Sequence, residues 1–94
     1  MNAVIYVRDS GGIPIYSQYN KCADYANRQG YSIVGKVLDF ESNKFHEAVN
    51  MTISKAETVA LLIYSRESAF DDFEEYLFFK IYLEKLGKQL VSCN

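Results

Sequence analysis

Tryptophan is absent from the chain, proline and histidine occur once each, and only two of the 94 residues are cysteine. Two cysteines cannot staple a disulfide scaffold, and with no secretory segment ahead of them Cys22 and Cys93 read as free thiols. One histidine, His46, leaves no ligand set with the spacing of a zinc site, and no cofactor is expected. Long apolar runs are missing too. The longest, residues 3–7 and 59–64, fall far below the roughly 20 residues of a membrane helix. The first of them reaches Arg8 and Asp9 too soon for a signal peptide, so a cytoplasmic location without membrane contact is expected. Nor is there an excess of positive charge: the net charge is −2, which removes the usual electrostatic footprint of a free-standing nucleic-acid binder.

What remains is an ordinary globular composition, 49% hydrophobic and 23% charged, enough for one compact core and one domain over residues 1–94. The charge is unevenly placed. Residues 39–75 hold nine acidic side chains against three basic ones, so any contact with DNA phosphate would fall to the ends of the chain, around Arg8, Lys21, Arg28 and Lys85 to Lys88.

The order of elements can be read from periodicity. Residues 3–7 and 58–64, apolar without a break after the leading Thr58 and rich in β-branched side chains, read as strands buried on both faces. Between them, Ile15, Tyr19, Cys22 and Ala26 form one stripe of a helix over 15–29, closed by Gly30. A weaker strand over 31–38 suits an edge position, and Phe45, Val49 and Ile53 align on a short helix within 44–55. Ser68 with Asp71 reads as the cap of a long helix over 69–86, followed by Gly87 and a last strand over 89–93. This alternation predicts a small three-layer α/β fold: a mostly parallel four-stranded sheet with helices on both faces. Ligands of such sheets bind at the carboxyl ends of the strands, here residues 8–12, 39–43 and 65–68.

The long helix carries two apolar stripes. Phe70, Phe73, Leu77 and Ile81 are expected on the sheet; Tyr76, Phe79, Leu83 and Leu86 form the second, either covered by a neighbouring helix or left open for a partner. Tyr76, Phe79 and Leu83 are therefore the candidate partner-binding residues.

At the first loop, Tyr6-Val7-Arg8-Asp9-Ser10 resembles the Tyr-x-Arg-x-Ser signature of serine recombinases of the resolvase and invertase type. Gln18, Cys22, Tyr25, Ala26, Gly30 and Tyr31 follow in the spacing common in that family, and 39–42, the strand to Tyr64 and 86–92 resemble its catalytic domain in order. The resemblance covers nearly the whole chain and implies a resolvase-like fold. It also implies that Ser10 attacks a DNA phosphodiester and holds the cut end as a phosphoserine, with Arg8 beside it. Such a serine needs activation, and the charge developing on the phosphate needs several fixed guanidinium donors.

Here the chain departs from the family pattern. Asn43, Lys44 and His46 stand where an arginine is expected after the second strand, and Ser65-Arg66-Glu67-Ser68 leaves Arg66 as the arguable replacement for one later arginine. Family recombinases also continue into a long helix and a DNA-binding region, whereas this sequence ends at Asn94; no C-terminal DNA-binding domain and only weak DNA binding are expected. The resulting expectation is a recombination-related domain with impaired catalysis, kept as a binding or regulatory module. Its partner would be a full-length recombinase, another DNA-processing protein or a second copy of itself. The alternatives are an active enzyme working through Ser10, Arg8 and Arg66, and an inactive remnant of a mobile element or phage. From the residues alone Ser10 reads first as a loop serine satisfying backbone near Gly11, and it is the resemblance that raises it to a site position.

Overall fold

The computed structural model describes residues 1–10 and 12–94. Its elements are β1 (Asn2–Arg8), α1 (Ile15–Gln29), β2 (Ser32–Asp39), α2 (Phe45–Ile53), β3 (Thr58–Ile63), α3 (Arg66–Ala69), α4 (Phe73–Lys85) and β4 (Gln89–Ser92). The four strands form one parallel sheet in the order β2-β1-β3-β4, with Tyr6 in register with Val37 on one side and Ile63 on the other. The two continuously apolar segments are thus the two central strands, and the interrupted one lies at an edge. The expected small α/β fold, a parallel sheet between helical layers, is the fold observed.

Alternation along β1 divides the core in two. Ala3, Ile5 and Val7 meet Ala60 and Leu62 of β3 and the α1 stripe of Ile15, Cys22 and Ala26 on one face. Val4 and Tyr6 point the other way, into a cluster with Leu61, Ile63, Ala48, Val49 and Leu83 that α2 and α4 cover. Arg8 shares the side of Tyr6 by the same alternation and is almost completely buried at the strand's carboxyl end. Gly30 ends α1 in the left-handed conformation at φ 79°, where its N–H reaches the carbonyls of Ala26 and Asn27.

The expected long helix over 69–86 is two helices. Ser65 and Ser68 cap the one-turn α3 reciprocally, each side chain accepting from the other's backbone N–H, while Asp72 caps α4 by accepting from the N–H of Glu75 at 2.7 Å. Ser68 with Asp71 is therefore not the cap of the long helix. The break occurs at Phe70, whose backbone is extended and whose ring is buried against Phe45 at 4.8 Å and Tyr76 at 5.7 Å. Sending that ring into the core requires the chain to leave the helix for three residues.

The break also sets which side of α4 faces inward, and it reverses the expectation for the two stripes except at their ends, where Phe70 is buried and Leu86 is exposed. Leu83 is fully buried, and Tyr76 and Phe79 pack on the same core. These three residues seal the domain instead of lining an open surface. The residues left in solvent are Phe73, Leu77, Phe78, Ile81 and Tyr82, with Phe78 62% and Ile81 50% exposed.

Among the described residues, no helix is long and apolar enough to cross a membrane and no group of histidine, cysteine and acidic side chains is placed to hold a metal ion.

Candidate functional site

The carboxyl ends of β1, β2 and β3 converge on Arg8, Asp39 and the α3 turn. Arg8 ends β1 in register with Asp39 of β2. Its Nε donates to the carbonyl of Ser68 at 3.0 Å and its Nη1 pairs with Asp71 Oδ1 at 3.1 Å. The carbonyl of Arg8 accepts from Nε2 of the fully buried Gln18 at 2.8 Å, and the same amide reaches the carbonyl of Ile13 at 3.0 Å. Gln18 thereby ties both sides of the loop after β1 to α1.

Asp39 is buried and serves its own loop. Oδ1 accepts from the backbone N–H groups of Glu41 at 3.1 Å and Asn43 at 3.2 Å; Oδ2 accepts from Lys44 N–H at 2.8 Å and from the Tyr6 hydroxyl at 2.7 Å. Burial opposes the charge, but the Tyr6 hydroxyl and the three N–H groups outweigh it and hold the carboxyl below its ordinary range. The tyrosine responds in the opposite sense: burial first, then its bond to Asp39, pushes the phenol far above its usual pKa. With both oxygens engaged, Asp39 organises the loop and is not free to act as a general base. Within that loop Ser42 adopts a left-handed φ of 59°, which lets the chain turn around the carboxylate.

A cleft of about 170 Å³ opens over Arg8, lined by Tyr6, Asn43, Phe45, His46, Asp71 and Glu75 among others. Its charges are one guanidinium against two carboxylates. A neighbouring cleft of about 410 Å³ holds Arg66, Phe70, Phe73 and Tyr76, and Asp71 stands on the boundary between the two. Arg66 does not join Arg8. Its guanidinium lies 4.7 Å from the centre of the Phe73 ring, and its Nε donates to Glu67 at 2.9 Å.

Of the three candidate catalytic residues, Ser10 is exposed in the loop beyond Arg8, Arg8 is buried at the strand end, and Arg66 belongs to the other cleft. Gly11, part of the polar loop singled out in the sequence, lies outside the described residues. Two functional features escape a reading of the sequence. Asp71 occupies Arg8, with no local pattern to announce it; Asp39 bonds Tyr6, for which the aromatic two residues before the arginine is the only sequence signal.

Chemically, the arrangement offers an anion one guanidinium, and only in competition with Asp71. That exposed carboxylate, 87% accessible, is held by a pair of a kind that contributes at most about 1 kcal/mol.

No protein-family model and no curated protein sequence matches the chain. Solved structures do. The C-terminal catalytic domain of ISC1926 TnpA, an IS607-like serine recombinase, aligns with all of this chain and 70% of its own at a TM-score of 0.78 and 20% identity. The N-terminal catalytic domain of TP901-1 integrase aligns over all of this chain and 78% of its own at 0.77 and 21%. A resolvase family site-specific recombinase from Streptococcus pneumoniae aligns over 99% of this chain and 72% of its own at 0.85 and 16%. The chain therefore has the fold of a serine recombinase catalytic domain.

Proposed function

We propose that this domain belongs to the machinery of site-specific DNA recombination as a binding or regulatory module, with its own strand-cleaving chemistry impaired. The observation that carries the reading is the pairing of Arg8 with Asp71 in a cleft that also holds Glu75 and receives no second guanidinium among its described lining. A phosphodiester entering there meets net negative charge. Losing one preorganised donor to a developing oxyanion typically lowers the rate about 10² to 10³-fold, and this cleft falls short by more than one. A full-length recombinase or another DNA-processing protein is the partner class that the fold and the acidic middle of the chain favour over free DNA.

The test is the protein–DNA adduct. The protein and its Ser10→Ala variant, purified from the native host under denaturing conditions, are assayed for covalently attached DNA. Neither is expected to carry any. DNA joined to the wild type and absent from Ser10→Ala would overturn the reading in favour of an active Ser10 nucleophile.

A further inference from the structure

The two cysteines stand far apart along the chain, and the fold brings them together. Strand β4 alternates like the others: Leu90 faces the cluster under α2 and α4, whereas Val91 and Cys93 belong to the cluster under α1. Cys93 lies one residue past the strand but stays in its ladder, its N–H donating to the carbonyl of Ile63 at 2.8 Å. On the helix side, Cys22 sits in the middle of the α1 stripe between Gln18 and Ala26 and is fully buried. The two thiols meet in hydrogen-bond contact beneath α1, and both are free.

The pair is unequal. Cys22 has no exposed surface, and its contact with Cys93, followed by burial, pushes its thiol far above the usual range. A buried, protonated thiol is inert toward solutes by itself. Cys93 is partly exposed and is the sulfur that an oxidant can reach. A reachable cysteine poised beside a buried one is the arrangement of an attacking and a resolving thiol. Cys22 also stands one turn after Gln18, whose amide holds the carbonyls of Arg8 and Ile13. A bond to Cys22 therefore acts on the helix that fixes the loop after β1.

We infer that Cys22 and Cys93 are a reversible redox pair that a small disulfide such as glutathione disulfide closes, tying α1 to the end of β4 and altering the hold of Gln18 on the loop after β1. In the first step the Cys93 sulfur bonds to one sulfur of the oxidant and the oxidant's S–S bond breaks; the other half leaves as a thiol, taking the Cys93 proton. In the second, the Cys22 sulfur displaces the remaining glutathione from Cys93, and the Cys22 proton leaves with it. Two cysteine thiols are oxidised to one disulfide, and one glutathione disulfide is reduced to two thiols. Because Cys22 holds its proton firmly, the second step is the slow one, and the mixed disulfide on Cys93 should accumulate on the way. A dithiol reductant runs the exchange backwards. The inference stands independently of whether the domain cleaves DNA.

Intact-mass measurement of the folded full chain, titrated with glutathione disulfide at about pH 8, reads the reaction. The wild type should pass through a single glutathionyl adduct and end as one chain that has lost the mass of two hydrogen atoms. Cys22→Ala should stop at the adduct, and Cys93→Ser should take neither step while folded. The closed pair constrains the long stretch of chain between α1 and β4, so the unfolding equilibrium in urea should be suppressed about 10² to 10³-fold in the oxidised protein, and a dithiol reductant should abolish the difference. The Gln18 side-chain amide resonances should shift on oxidation of the wild type and stay in place in Cys93→Ser under the same treatment. A wild type that keeps both thiols, or that stops at the adduct as Cys22→Ala does, overturns the inference. So does a disulfide that forms only between two chains or only in urea, or one that leaves Gln18 unmoved; the wild type and Cys93→Ser decide the matter even if Cys22→Ala fails to fold.

Discussion

The Tyr6 hydroxyl donates a 2.7 Å hydrogen bond to Asp39 Oδ2, joining the central strand to the end of the edge strand at the point where the candidate site begins. The bond holds a charge-assisted pair in a buried place, and it titrates from both sides. Asp39 is held below its ordinary pKa in the folded protein, so the stability it contributes is fully present above the unfolded value of about 3.9 and is lost as pH falls through the depressed folded value. Tyr6 is raised, so its contribution is present below about 10 and is lost as pH rises beyond it. Tyr6→Phe should cost about 1.5 to 3 kcal/mol at pH 7, the range for a hydrogen bond to a charged group. Urea unfolding from pH 3 to 11 checks this: the deficit should shrink toward both extremes, and a deficit independent of pH would refute the coupling.

Freeing Arg8 is the second expectation. Asp71 is exposed and its ion pair is weak, so Asp71→Ala should change stability by no more than about 0.5 kcal/mol. The same change leaves Nη1 of Arg8 open to an anion. Inorganic phosphate should then bind in the cleft about 5 to 10-fold more tightly than to the wild type, a gain of about 1 to 1.4 kcal/mol. Titration of the Arg8 side-chain resonances by NMR reads the change, and equal affinity in the two proteins would show that Asp71 does not compete for the guanidinium.

How far the sequence foretold this molecule depends on the distance over which the information had to travel. The central strands were legible because residues 3–7 and 59–63 are apolar without interruption, and only strands covered on both faces need that. The α1 stripe was legible for the same local reason. Helix α4 was not, because apolar side chains surround it and periodicity alone cannot say which side is inward. What decides is Phe70, which leaves the helical path for the aromatic cluster and fixes the rotation of everything after Asp72. The candidate site divides in the same way. The position of Arg8 at a strand end followed from local pattern, while Asp71 reaches it from far along the chain, beyond β3, and no short-range signal announces that meeting.

The inward and outward sides of α4 make a third, contrasting pair of expectations. Leu83→Ala removes a fully buried side chain from the core and should cost about 2 to 5 kcal/mol. Phe78→Ala, although it deletes a larger side chain, acts on one that is 62% exposed and should cost no more than about 0.5 kcal/mol. Equal losses in thermal or urea unfolding would mean that α4 does not turn Leu83 inward and Phe78 outward.

The break before α4 yields the last expectation. Asp72 accepts the Glu75 N–H at 2.7 Å and begins the helix, so Asp72→Ala should cost about 1 kcal/mol while Asp72→Asn or Asp72→Ser keeps most of it. Phe70→Ala should be far more damaging, about 3 to 5 kcal/mol, because its ring touches Phe45, Tyr76 and Phe79 and nothing nearby can fill the volume. The two substitutions differ in what they do to the site. Without the Phe70 ring the α3 turn loses its anchor, and the Ser68 carbonyl that receives Nε of Arg8 moves with it; without the Asp72 cap only the first turn of α4 frays. The Arg8 Nε resonance should therefore shift in Phe70→Ala and stay in place in Asp72→Ala. An unmoved Arg8 in both proteins would mean that α3 is held by its own reciprocal serine caps and owes nothing to the aromatic cluster beneath it.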